Sequence, residues 1–540
     1  MNADAKPFPL LEKPLHFNFA SDIIGAWANQ RPDALAFWWI DEDETKELKY
    51  TFRELARETE RAANCFETCG VKRGDHVLVV LPRLPQWWIG MLGLIRMGAV
   101  PVPGTPLLTS RDLQYRIDVA EIDAVFTDAE DAAKIPDFPG VRIVAGGDCL
   151  PGWQDFDAGM RDAAPEFHGA PTLADDPGII YFTSATTGYP KMVLHTQASY
   201  GLAHRFTGEL WLDCGPQDVH WNISDVGWGK AAWSSFYGPW HMGACVFAVD
   251  LRGKFDPLKI LNLLQTYPIS TLCCPTTALR LIIRQDLSAF HFPRLRHTVT
   301  AGEPLNPEIV SIWKNATGLT IHEGYGQTET VILIGNFRSL GCVVRPGSMG
   351  KPNPAYEVSL VDEDLNEVPP GHEGEIAVRI HPRRPLGLFH EYWRHPEATA
   401  GQFRGDWYLT GDRAKRDADG YFWFVGRKDD VIKSSGYRIG PFEVESTLME
   451  HKAVLDVAVV GKPDPIRGQI VKAYVILRDG HDESEAMKKE LQRHCKTVVA
   501  PYKYPREIEF VSELPKTTSG KTRHVELRER EKRVAENANL

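Results

Sequence analysis

The sequence predicts an α/β protein: a large N-terminal domain of mostly parallel sheets that ends in a barrel-like β subdomain, followed by a small α+β C-terminal domain. Residues 75–104 alternate an apolar run, an apolar helical stretch and a second apolar run, as a parallel strand–helix–strand crossover does. After about residue 340, short strand patterns with turn signals take over. From about residue 430, a compact mixture of helix and strand patterns begins.

The elements of the N-terminal domain repeat one pattern. The run DHVLVVLP (75–82) predicts a strand, QWWIGMLGLIRMG (86–98) a helix, and AVPVPG (99–104) the next strand. Further apolar runs are spaced so that helices fit between them, and they predict a large, mostly parallel sheet system. These runs are residues 122–128, 178–184, 243–250, 269–275, 296–302 and 319–326.

The barrel-like subdomain is predicted from short strands that alternate with turns. The runs GEIAVRI (374–380), DWYLTGD (406–412) and GYFWFVGRKDD (420–430) are rich in β-branched and aromatic residues and are bounded by Gly and Asp. Such short runs with turn signals between them are typical of antiparallel strands. We therefore expect an antiparallel subdomain.

The C-terminal domain is predicted from two helices and from two strands, DVAVVG (456–461) and KAYVILRD (472–479). One helix begins at Pro441, because proline suits the first turn of a helix. A second helix covers the run ESEAMKKELQRHC, in which Met487, Leu491 and Cys495 share one face. We place the domain boundary between residues 1–428 and 429–540.

Composition excludes several classes of protein. A net charge of −11 argues against nucleic acid as the main partner, which requires a basic face. The nine cysteines are scattered without a CxxC pair, so neither a zinc site nor a disulfide framework is expected. No signal peptide or run of about 18 apolar residues is apparent. We therefore expect a cytoplasmic protein without a membrane span.

The segment YFTSATTGYPKMVLH (181–195) is the strongest candidate for a phosphate site. Hydroxyls, free backbone N–H groups and a lysine at the C-terminal end of a parallel strand would hold the β- and γ-phosphates of a nucleotide. A polar surface loop is the alternative. The candidate residues are Thr183, Ser184, Ala185, Thr186, Thr187, Gly188 and Lys191.

Three further segments carry candidate residues. HEGYGQTET (322–330) offers Glu329, and Mg²⁺ bound to ATP commonly takes one protein carboxylate. YLTGD places Asp412 after a strand, where it could grip a ribose diol. Residues 426–445 concentrate Gly, Ser and charge, as a hinge does. The alternative for Glu329 is an acid that is only solvated. The alternative for residues 426–445 is a linker without a hinge role.

The segment PKTTSGKT (515–522) ends like a nucleotide-binding P-loop but is not one. The first glycine of that pattern is replaced by Pro515, which has no N–H to offer a phosphate. A P-loop enzyme also needs downstream βαβ units, and only 18 residues follow Thr522. What remains is an exposed lysine, Lys521, flanked by Gly520.

Taken together, the motifs TSATTGYPK, AGEPL, YGQTE, YLTGD, GRKDD, SSGYRIGPFEVE and PKTTSGK occur in an order and spacing that resemble the adenylate-forming superfamily of acyl-CoA synthetases, adenylation domains and luciferases. The resemblance covers nearly the whole chain. Within the superfamily, VLPRLPQWW, SDVGW with PWHMGA, and APYKYPREIEF are most similar to medium-chain acyl-CoA synthetases, with benzoate-type ligases next.

The resemblance implies a role for each motif residue. The loop from Thr183 to Lys191 would hold the triphosphate, and Thr328 would touch the α-phosphate. Glu329 would bind Mg²⁺, with Thr183 as a second candidate ligand. Lys521 would be a mobile catalytic lysine that bridges the acid and the α-phosphate. The other implied contacts are Gly302, Glu303, Pro304 and Tyr325 at the adenine, Asp412 and Arg427 at the ribose, Asp429 as the hinge pivot, and Gly436 at the CoA tunnel.

The resemblance also bears on the acid. Small-acid synthetases carry a tryptophan where this chain has Gly326, so a longer or ring-bearing tail is expected to pass there. By position in the family pattern, Trp228, Gly229, Ala232 and Trp233 would wall the acyl pocket, although tryptophans of an ordinary core are the alternative. Ala185 and Met192 stand where glycine is usual, and Ala185 could reshape the phosphate loop.

We therefore expect an ATP-dependent acid:CoA ligase, forming AMP and pyrophosphate, that acts on a medium-chain, branched or aromatic acid. ATP and CoA would be its co-substrates and Mg²⁺ its cofactor. A freestanding adenylation enzyme that loads a carrier protein, a non-catalytic nucleotide-binding homologue and a luciferase-type oxygenase stay open. A homodimer and a lysine acetyltransferase acting on Lys521 are candidate partners.

Overall fold

A computed structural model of the protein describes residues 11–183, 190–434, 437–500, 502–517 and 520–538. Its largest sheet has nine strands, of which six neighbouring strands are parallel and the three outer ones antiparallel. From one edge to the other the strands are Lys351–Pro352, Ile334–Gly335, Ile321–Tyr325, His297–Ala301, Thr271–Cys273, Val219–Asn222, Cys245–Val249, Leu35–Ile40 and Glu47–Thr51.

A second sheet has five strands, all parallel. Their order is Val100–Gly104, His76–Val80, Ala124–Thr127, Val141–Val144 and Gln154–Asp155. The α/β class and the parallel sheets predicted from the apolar runs are therefore confirmed.

The strand before the phosphate loop differs from the prediction. Pro177–Phe182 pairs antiparallel with Met192–Thr196, which in turn pairs antiparallel with Glu391–Tyr392. The predicted parallel strand is wrong because the connection from residue 183 to 191 is too short for a parallel crossover, which needs a dozen or more residues. The candidate phosphate loop thus joins two antiparallel neighbours.

The antiparallel subdomain has five strands. Four follow the order Val358–Val361, Glu373–Arg379, Trp407–Arg416 and Phe403–Arg404, and Phe422–Arg427 also pairs with Trp407–Arg416. The antiparallel character expected from the short strands is confirmed. This sheet places Asp412 opposite Arg427. Asp412 lies in the middle of strand Trp407–Arg416 and not after a strand as expected, because the strand continues through the YLTGD segment.

The C-terminal part forms its own sheet, in the order Tyr437–Ile439, Ile432–Ser434, Gly468–Leu477 and Val454–Asp464, with Glu507–Phe510 parallel to Gly468–Leu477. The helices expected from Pro441 and around Leu491 are present as Pro441–Met449 and Glu485–Val498. Leu491 and Cys495 are buried and Met487 partly so, as their shared face predicted. One helix was not expected, His524–Ala538, directly after Lys521.

Helix bounds agree with local sequence signals. The helix Phe52–Thr68 begins after a capping box in which Thr51 and Glu54 exchange hydrogen bonds. The helix Pro85–Met97 starts with proline and ends at Gly98 in the left-handed conformation, φ 80°. The other α-helices are Gly25–Gln30, Ser110–Ala120, Ala129–Ala132, Phe156–Asp162, His204–Phe206, Gly229–Ala232, Gly238–His241, Pro257–Thr266, Thr276–Ile282, Pro307–Thr317 and Pro396–Gln402.

Shorter helical turns complete the chain. π-Helical turns are Ala20–Ile24, Gln197–Leu202, Thr207–Trp211 and Trp233–Tyr237, and 3₁₀ turns are Leu287–Ala289 and Arg338–Leu340. The core between the large sheets is aromatic, with Trp87, Trp88, Trp211 and Trp240 fully buried. None of the described helices is both long and apolar enough to cross a membrane.

Candidate active site

Lys521 lies in a cleft between the C-terminal part and the nine-stranded sheet. It closes a tight hairpin in which the backbone N–H of Thr517 donates to the Lys521 carbonyl at 2.7 Å. A methyl group on Gly302 would lie 3.6 Å from Lys521 Nζ, and one on Gly520 would lie 3.6 Å from Thr277. The lysine therefore approaches the backbone at the end of strand His297–Ala301.

The cleft changes the acidity of this lysine. Lys521 is exposed to water as a whole residue, but protein atoms lie around its ammonium end. This burial lowers the pKa of Lys521; Glu303 and Asp412 raise it in part, and Lys230 and Arg427 lower it further. Attraction from Glu303 and Asp412 thus offsets the cost of the charge only in part, which favours an added anionic ligand.

Asp412 is held by neighbours that leave part of its carboxylate free for a ligand. Its Oδ2 accepts hydrogen bonds from the Tyr325 hydroxyl and from Gln327 Nε2, both at 2.7 Å. Arg427 Nε lies 3.8 Å from Oδ1, on the neighbouring strand. Burial raises the pKa of Asp412 while Arg427 and these hydrogen bonds lower it, so the side chain is a fixed, buried acceptor.

The segment with Thr328 and Glu329 is fixed from both sides. His195 Nε2 donates to the Thr328 carbonyl at 2.7 Å, and since burial lowers the pKa of His195 to about 3, the imidazole is neutral. The Tyr392 hydroxyl donates to Glu329 Oε1 at 2.7 Å. The Phe389 N–H donates to the Glu329 carbonyl at 2.7 Å.

Two ends of the candidate phosphate loop are described. The Thr183 N–H donates to the Lys191 carbonyl at 2.9 Å, which closes the base of the loop. Lys191 Nζ lies 4.6 Å from the centre of the Tyr392 ring. The predicted phosphate residues Ser184, Ala185, Thr186, Thr187 and Gly188 lie outside the described residues, as does Gly436.

The AGEPL segment lines another wall. Gly302 has φ +94°, a conformation that favours glycine, and Glu303 and Pro304 are half-buried beside it. Glu323, on the adjacent strand, accepts a hydrogen bond from the Leu305 N–H at 3.3 Å. Burial raises the pKa of Glu323 to about 8, so a neutral carboxylic acid lies behind this wall at neutral pH.

The predicted acyl-pocket residues come together, but Gly326 does not leave open space. A methyl group there would lie 2.5 Å from the Trp233 ring and would also collide with the Val331 carbonyl. The expectation that a tail passes at Gly326 is therefore wrong for this conformation, because the indole of Trp233 fills the room that glycine leaves.

Trp233 itself is a core-like residue. It is 4% exposed, and its Nε1 donates to the Tyr200 hydroxyl oxygen at 2.8 Å. A methyl group on Gly229 would lie 3.5 Å from Thr328, so the helix Gly229–Ala232 begins beside the Thr328 side chain. Ala232 is buried and Trp228 half-buried at its two ends.

The predicted pivot Asp429 is exposed in a turn where the Asp430 N–H donates to the Arg427 carbonyl at 2.9 Å. Asp430 pairs with Arg528 of the last helix. The hinge segment and the helix that follows Lys521 are thus directly linked.

Comparison with known proteins identifies the family. The AMP-binding enzyme model matches residues 24–393, and the AMP-binding enzyme C-terminal domain model matches residues 443–521. The chain belongs to the AMP-binding enzyme family.

Two curated relatives and one solved structure are similar to this AMP-binding enzyme over nearly its whole length. Acyl-coenzyme A synthetase ACSM5, mitochondrial, of Rattus norvegicus is 48% identical over 96% of this chain and 91% of its own length. The ACSM3 enzyme of Mus musculus, also named as mitochondrial, is 46% identical over 96% of this chain and 92% of its own. The anthranilate CoA ligase AuaEII, solved with anthranoyl-AMP, has a TM-score of 0.87 at 30% identity and covers 97% of this chain and 98% of its own.

These relatives correct one expectation about the AMP-binding enzyme. A cytoplasmic location was expected from the absence of a recognisable targeting segment. That expectation is wrong, since the similar curated relatives are mitochondrial enzymes by name.

Several residues that shape the site of this AMP-binding enzyme were missed in the sequence. His195, Gln327 and Tyr392 hold motif residues in place, and Glu323 lies behind the Gly302 segment. Gln327 and Glu323 stand within the HEGYGQTET motif, so their place next to Glu329 was a usable signal. His195 ends the YFTSATTGYPKMVLH segment, which was a usable signal, whereas Tyr392 lies outside every motif.

Proposed function

We propose that the protein is an ATP-dependent carboxylic acid:CoA ligase that forms an acyl adenylate and then a thioester, releasing pyrophosphate and AMP. The observation that carries this proposal is the position of Lys521, whose ammonium faces Gly302, Glu303 and Asp412 across one cleft. The names of the relatives, acyl-coenzyme A synthetases and a CoA ligase, support it.

In this proposal the cleft holds ATP. The loop from Thr183 to Lys191 binds the triphosphate and Thr328 the α-phosphate. Asp412 and Arg427 grip the ribose, in keeping with a carboxylate that Tyr325 and Gln327 leave partly free. The adenine lies against Gly302, Glu303, Pro304 and Tyr325.

Mg²⁺ fits the donors present. Glu329 is half-buried and offers carboxylate oxygen, and Thr183 offers a hydroxyl, both hard donors of the kind that Mg²⁺ prefers. Within the described ranges, no three acidic, histidine or cysteine side chains cluster as a metal cage, so phosphates and water would complete the shell. When bound, the ion would offset negative charge on the phosphates.

Lys521 would reduce the repulsion between the carboxylate of the acid and the triphosphate of ATP. As the acid's carboxylate oxygen bonds to the α-phosphorus and pyrophosphate leaves, charge develops on the phosphoryl oxygens, and an aimed ammonium stabilises it. In the second step the CoA thiol sulfur attacks the acyl carbon, its proton is lost, and AMP leaves. Rotation about Asp429 would withdraw Lys521 and bring Gly436 to the tunnel for CoA, with residues 1–428 and 429–540 as the two bodies.

The acid is proposed to be medium-chain, branched or aromatic. In this proposal Trp228, Gly229, Ala232, Trp233 and Gly326 wall the acyl site, and the Trp233 indole, which packs against Gly326, limits its depth. Apolar walls distinguish one methylene by only about 1–3 kcal/mol. A series of related acids is therefore expected to react.

The experiment measures pyrophosphate release from Mg·ATP with acetate, octanoate, isobutyrate and benzoate, each with and without CoA. Release that depends on the acid and turns over only with CoA is expected. Lys521→Ala should slow it about 10²–10³-fold, whereas Lys516→Ala, in the same hairpin but paired with Asp456 at 2.7 Å, should not. Release indifferent to CoA would point to a carrier-protein acceptor, and no acid-dependent release to a non-catalytic homologue.

Two partners belong to the same proposal. A lysine acetyltransferase acting on Lys521 would remove the charge needed in the first step. Acetylated protein should lose adenylate formation and keep thioester formation from a supplied adenylate; an unchanged first step would refute this. A homodimer is proposed from the family resemblance alone, and a monomer in sedimentation would refute it.

A further inference from the structure

Tyr392 touches both charged groups that the proposed function places on the metal–triphosphate unit. Its hydroxyl donates to Glu329 Oε1 at 2.7 Å. Its ring centre lies 4.6 Å from Lys191 Nζ, within the range of a cation–π contact. Lys191 and Glu329 come from segments far apart in the chain, so one side chain links them directly.

The backbone around Tyr392 is fixed. Its strand, Glu391–Tyr392, pairs antiparallel with the strand that follows Lys191, and Tyr392 lies opposite Val193. Its N–H donates to Thr399 Oγ1 at 2.9 Å. Phe389, three residues earlier, donates its N–H to the Glu329 carbonyl at 2.7 Å. With 4% of Tyr392 exposed, the ring and hydroxyl have little freedom to move.

These contacts do more than pack a ring. A phenylalanine would fill the same space and keep the contact with Lys191, but could not donate to Glu329. A carboxylate has about four lone-pair sites, so the bond from Tyr392 orients Glu329 and leaves it able to bind a cation. Unfixed, the carboxylate could turn toward Lys191, since the lysine's charge already acts on it.

We propose that Tyr392 is a positioning residue that sets the spacing between Glu329 and Lys191, and thereby the preference of the site for Mg·ATP over free ATP. The proposal rests on the proposed function, because it assumes that ATP binds in this cleft. The Tyr392 hydroxyl would act, through Glu329, on the metal of Mg·ATP, and the Tyr392 ring would act, through Lys191, on its phosphates.

The test is equilibrium binding without acid or CoA, so that no turnover occurs. Isothermal titration of the full chain with ATP is carried out in Mg²⁺ and in EDTA. Tyr392→Phe is expected to weaken Mg·ATP binding roughly tenfold, the worth of one hydrogen bond to a charged group, and to change free-ATP binding less than about twofold. Tyr392→Leu is expected also to weaken free ATP by about two- to fivefold, because the cation–π contact is lost.

Tyr421→Phe is the matched control. Tyr421 is also buried, its hydroxyl donates to the Val343 carbonyl at 2.8 Å, and its ring lies under Lys351 at 4.8 Å, but none of these partners belongs to the cleft. It should leave both affinities unchanged. In a Glu329→Gln background, Tyr392→Phe should no longer change the Mg²⁺ preference.

The outcomes separate the two proposals. If the wild type does not bind Mg·ATP, the proposed function falls and this inference with it. If the wild type binds but Tyr392→Phe weakens both ligands equally or neither, the positioning role is wrong while the ligase proposal stands. Thermal unfolding establishes that each variant is folded. If only one of Tyr392→Phe and Tyr392→Leu folds, its own expected change in affinity still tests the proposal.

Discussion

Trp233 offers the sharpest test of the acyl pocket. Its ring lies 2.5 Å from where a side chain at Gly326 would begin, so in the proposed acyl pocket it would block a longer tail. Replacing Trp233 with leucine keeps an apolar wall and removes the far part of the indole. The variant should therefore accept longer acids than the wild type does.

The expected size of the effect follows from the space released. Leucine has roughly six heavy atoms fewer than tryptophan, enough for two or three further methylenes of the acid. Each buried methylene contributes about 0.8 kcal/mol, so the gain is roughly 1.6–2.4 kcal/mol. That corresponds to about 15- to 60-fold in kcat/KM for the longer acids.

The assay compares kcat/KM across straight-chain acids from butyrate to dodecanoate for the wild type, Trp233→Leu and Trp240→Leu. Trp240 is a matched control, since it is fully buried and its Nε1 donates to the Ala36 carbonyl at 2.9 Å. It should lower the melting temperature without moving the preferred chain length. An unchanged optimum in a folded Trp233→Leu variant would refute the role assigned to this indole.

Three further substitutions test the cleft. Lys521→Gln should slow acid-dependent pyrophosphate release about 10²–10³-fold and spare thioester formation from a supplied adenylate. Because burial lowers the pKa of Lys521 in the ligand-free protein, the wild-type kcat/KM for ATP should decline with rising pH at a value below the usual lysine pKa. The pKa of Glu323 is raised from 4.5 to about 8, so between these pH values the folded state binds one proton more than the unfolded state. The free energy of unfolding of the wild type should therefore fall by about 1.4 kcal/mol for each unit of rising pH in this range. Glu323→Gln should abolish this pH dependence. Gln327→Ala should raise the KM for ATP roughly tenfold, since Asp412 loses a charge-assisted hydrogen bond.

Each of these has a contrary result. Equal losses in both half-reactions of Lys521→Gln would mean that the lysine supports the fold rather than the first step. Parallel stability curves of the wild type and Glu323→Gln in urea from pH 5 to 8 would mean that Glu323 ionises normally. An unchanged KM for ATP in Gln327→Ala would mean that Tyr325 alone suffices to hold Asp412.

Local patterns predicted the regular elements well where one periodicity dominates. The run of apolar residues before Pro82 and the helix from Pro85 to Met97 are set by burial and by proline and glycine at the ends. Whether a strand pairs parallel or antiparallel was not predictable in the same way. The apolar run from Ile179 to Phe182 suits either kind of pairing. The length of the following loop carried that information.

The last helix shows what a pattern search misses. His524–Ala538 has few apolar residues, so no apolar stripe marks it. One residue of the helix, Leu527, joins a small buried apolar cluster. Ion pairs supply further contacts: Lys472 Nζ lies 2.8 Å from the buried Glu531 carboxylate, and Arg528 pairs with Asp430. Such pairs join residues distant in sequence and leave no local signal.

The candidate site divides along the same line. Residues that carry charge, such as Lys521, Glu329 and Asp412, could be named as candidates from the sequence, because few other side chains can do the proposed chemistry. The groups that aim them, such as Tyr392 and His195, were not found, since their role exists only through contacts between separate strands. The place of Trp233 against Gly326 was misjudged for the same reason.

The electrostatics of the cleft link nucleotide binding to the orientation of the C-terminal part. Without a ligand, burial and the cations Lys230 and Arg427 act against the charge of Lys521, so closing the cleft works against its ammonium. An anionic triphosphate would reverse this and favour the closed arrangement, and by linkage closure would tighten nucleotide binding.

In the proposed reaction, loss of pyrophosphate would then remove most of that negative charge and, with it, the electrostatic stabilisation of Lys521 in the cleft. The same lysine that promotes the first step would thus be released by its completion. Proteolysis of the hinge segment 426–445 should accordingly be slowest with Mg·ATP and faster with a non-hydrolysable acyl-adenylate analogue. Equal cleavage rates in the two complexes would show that charge does not govern the rotation.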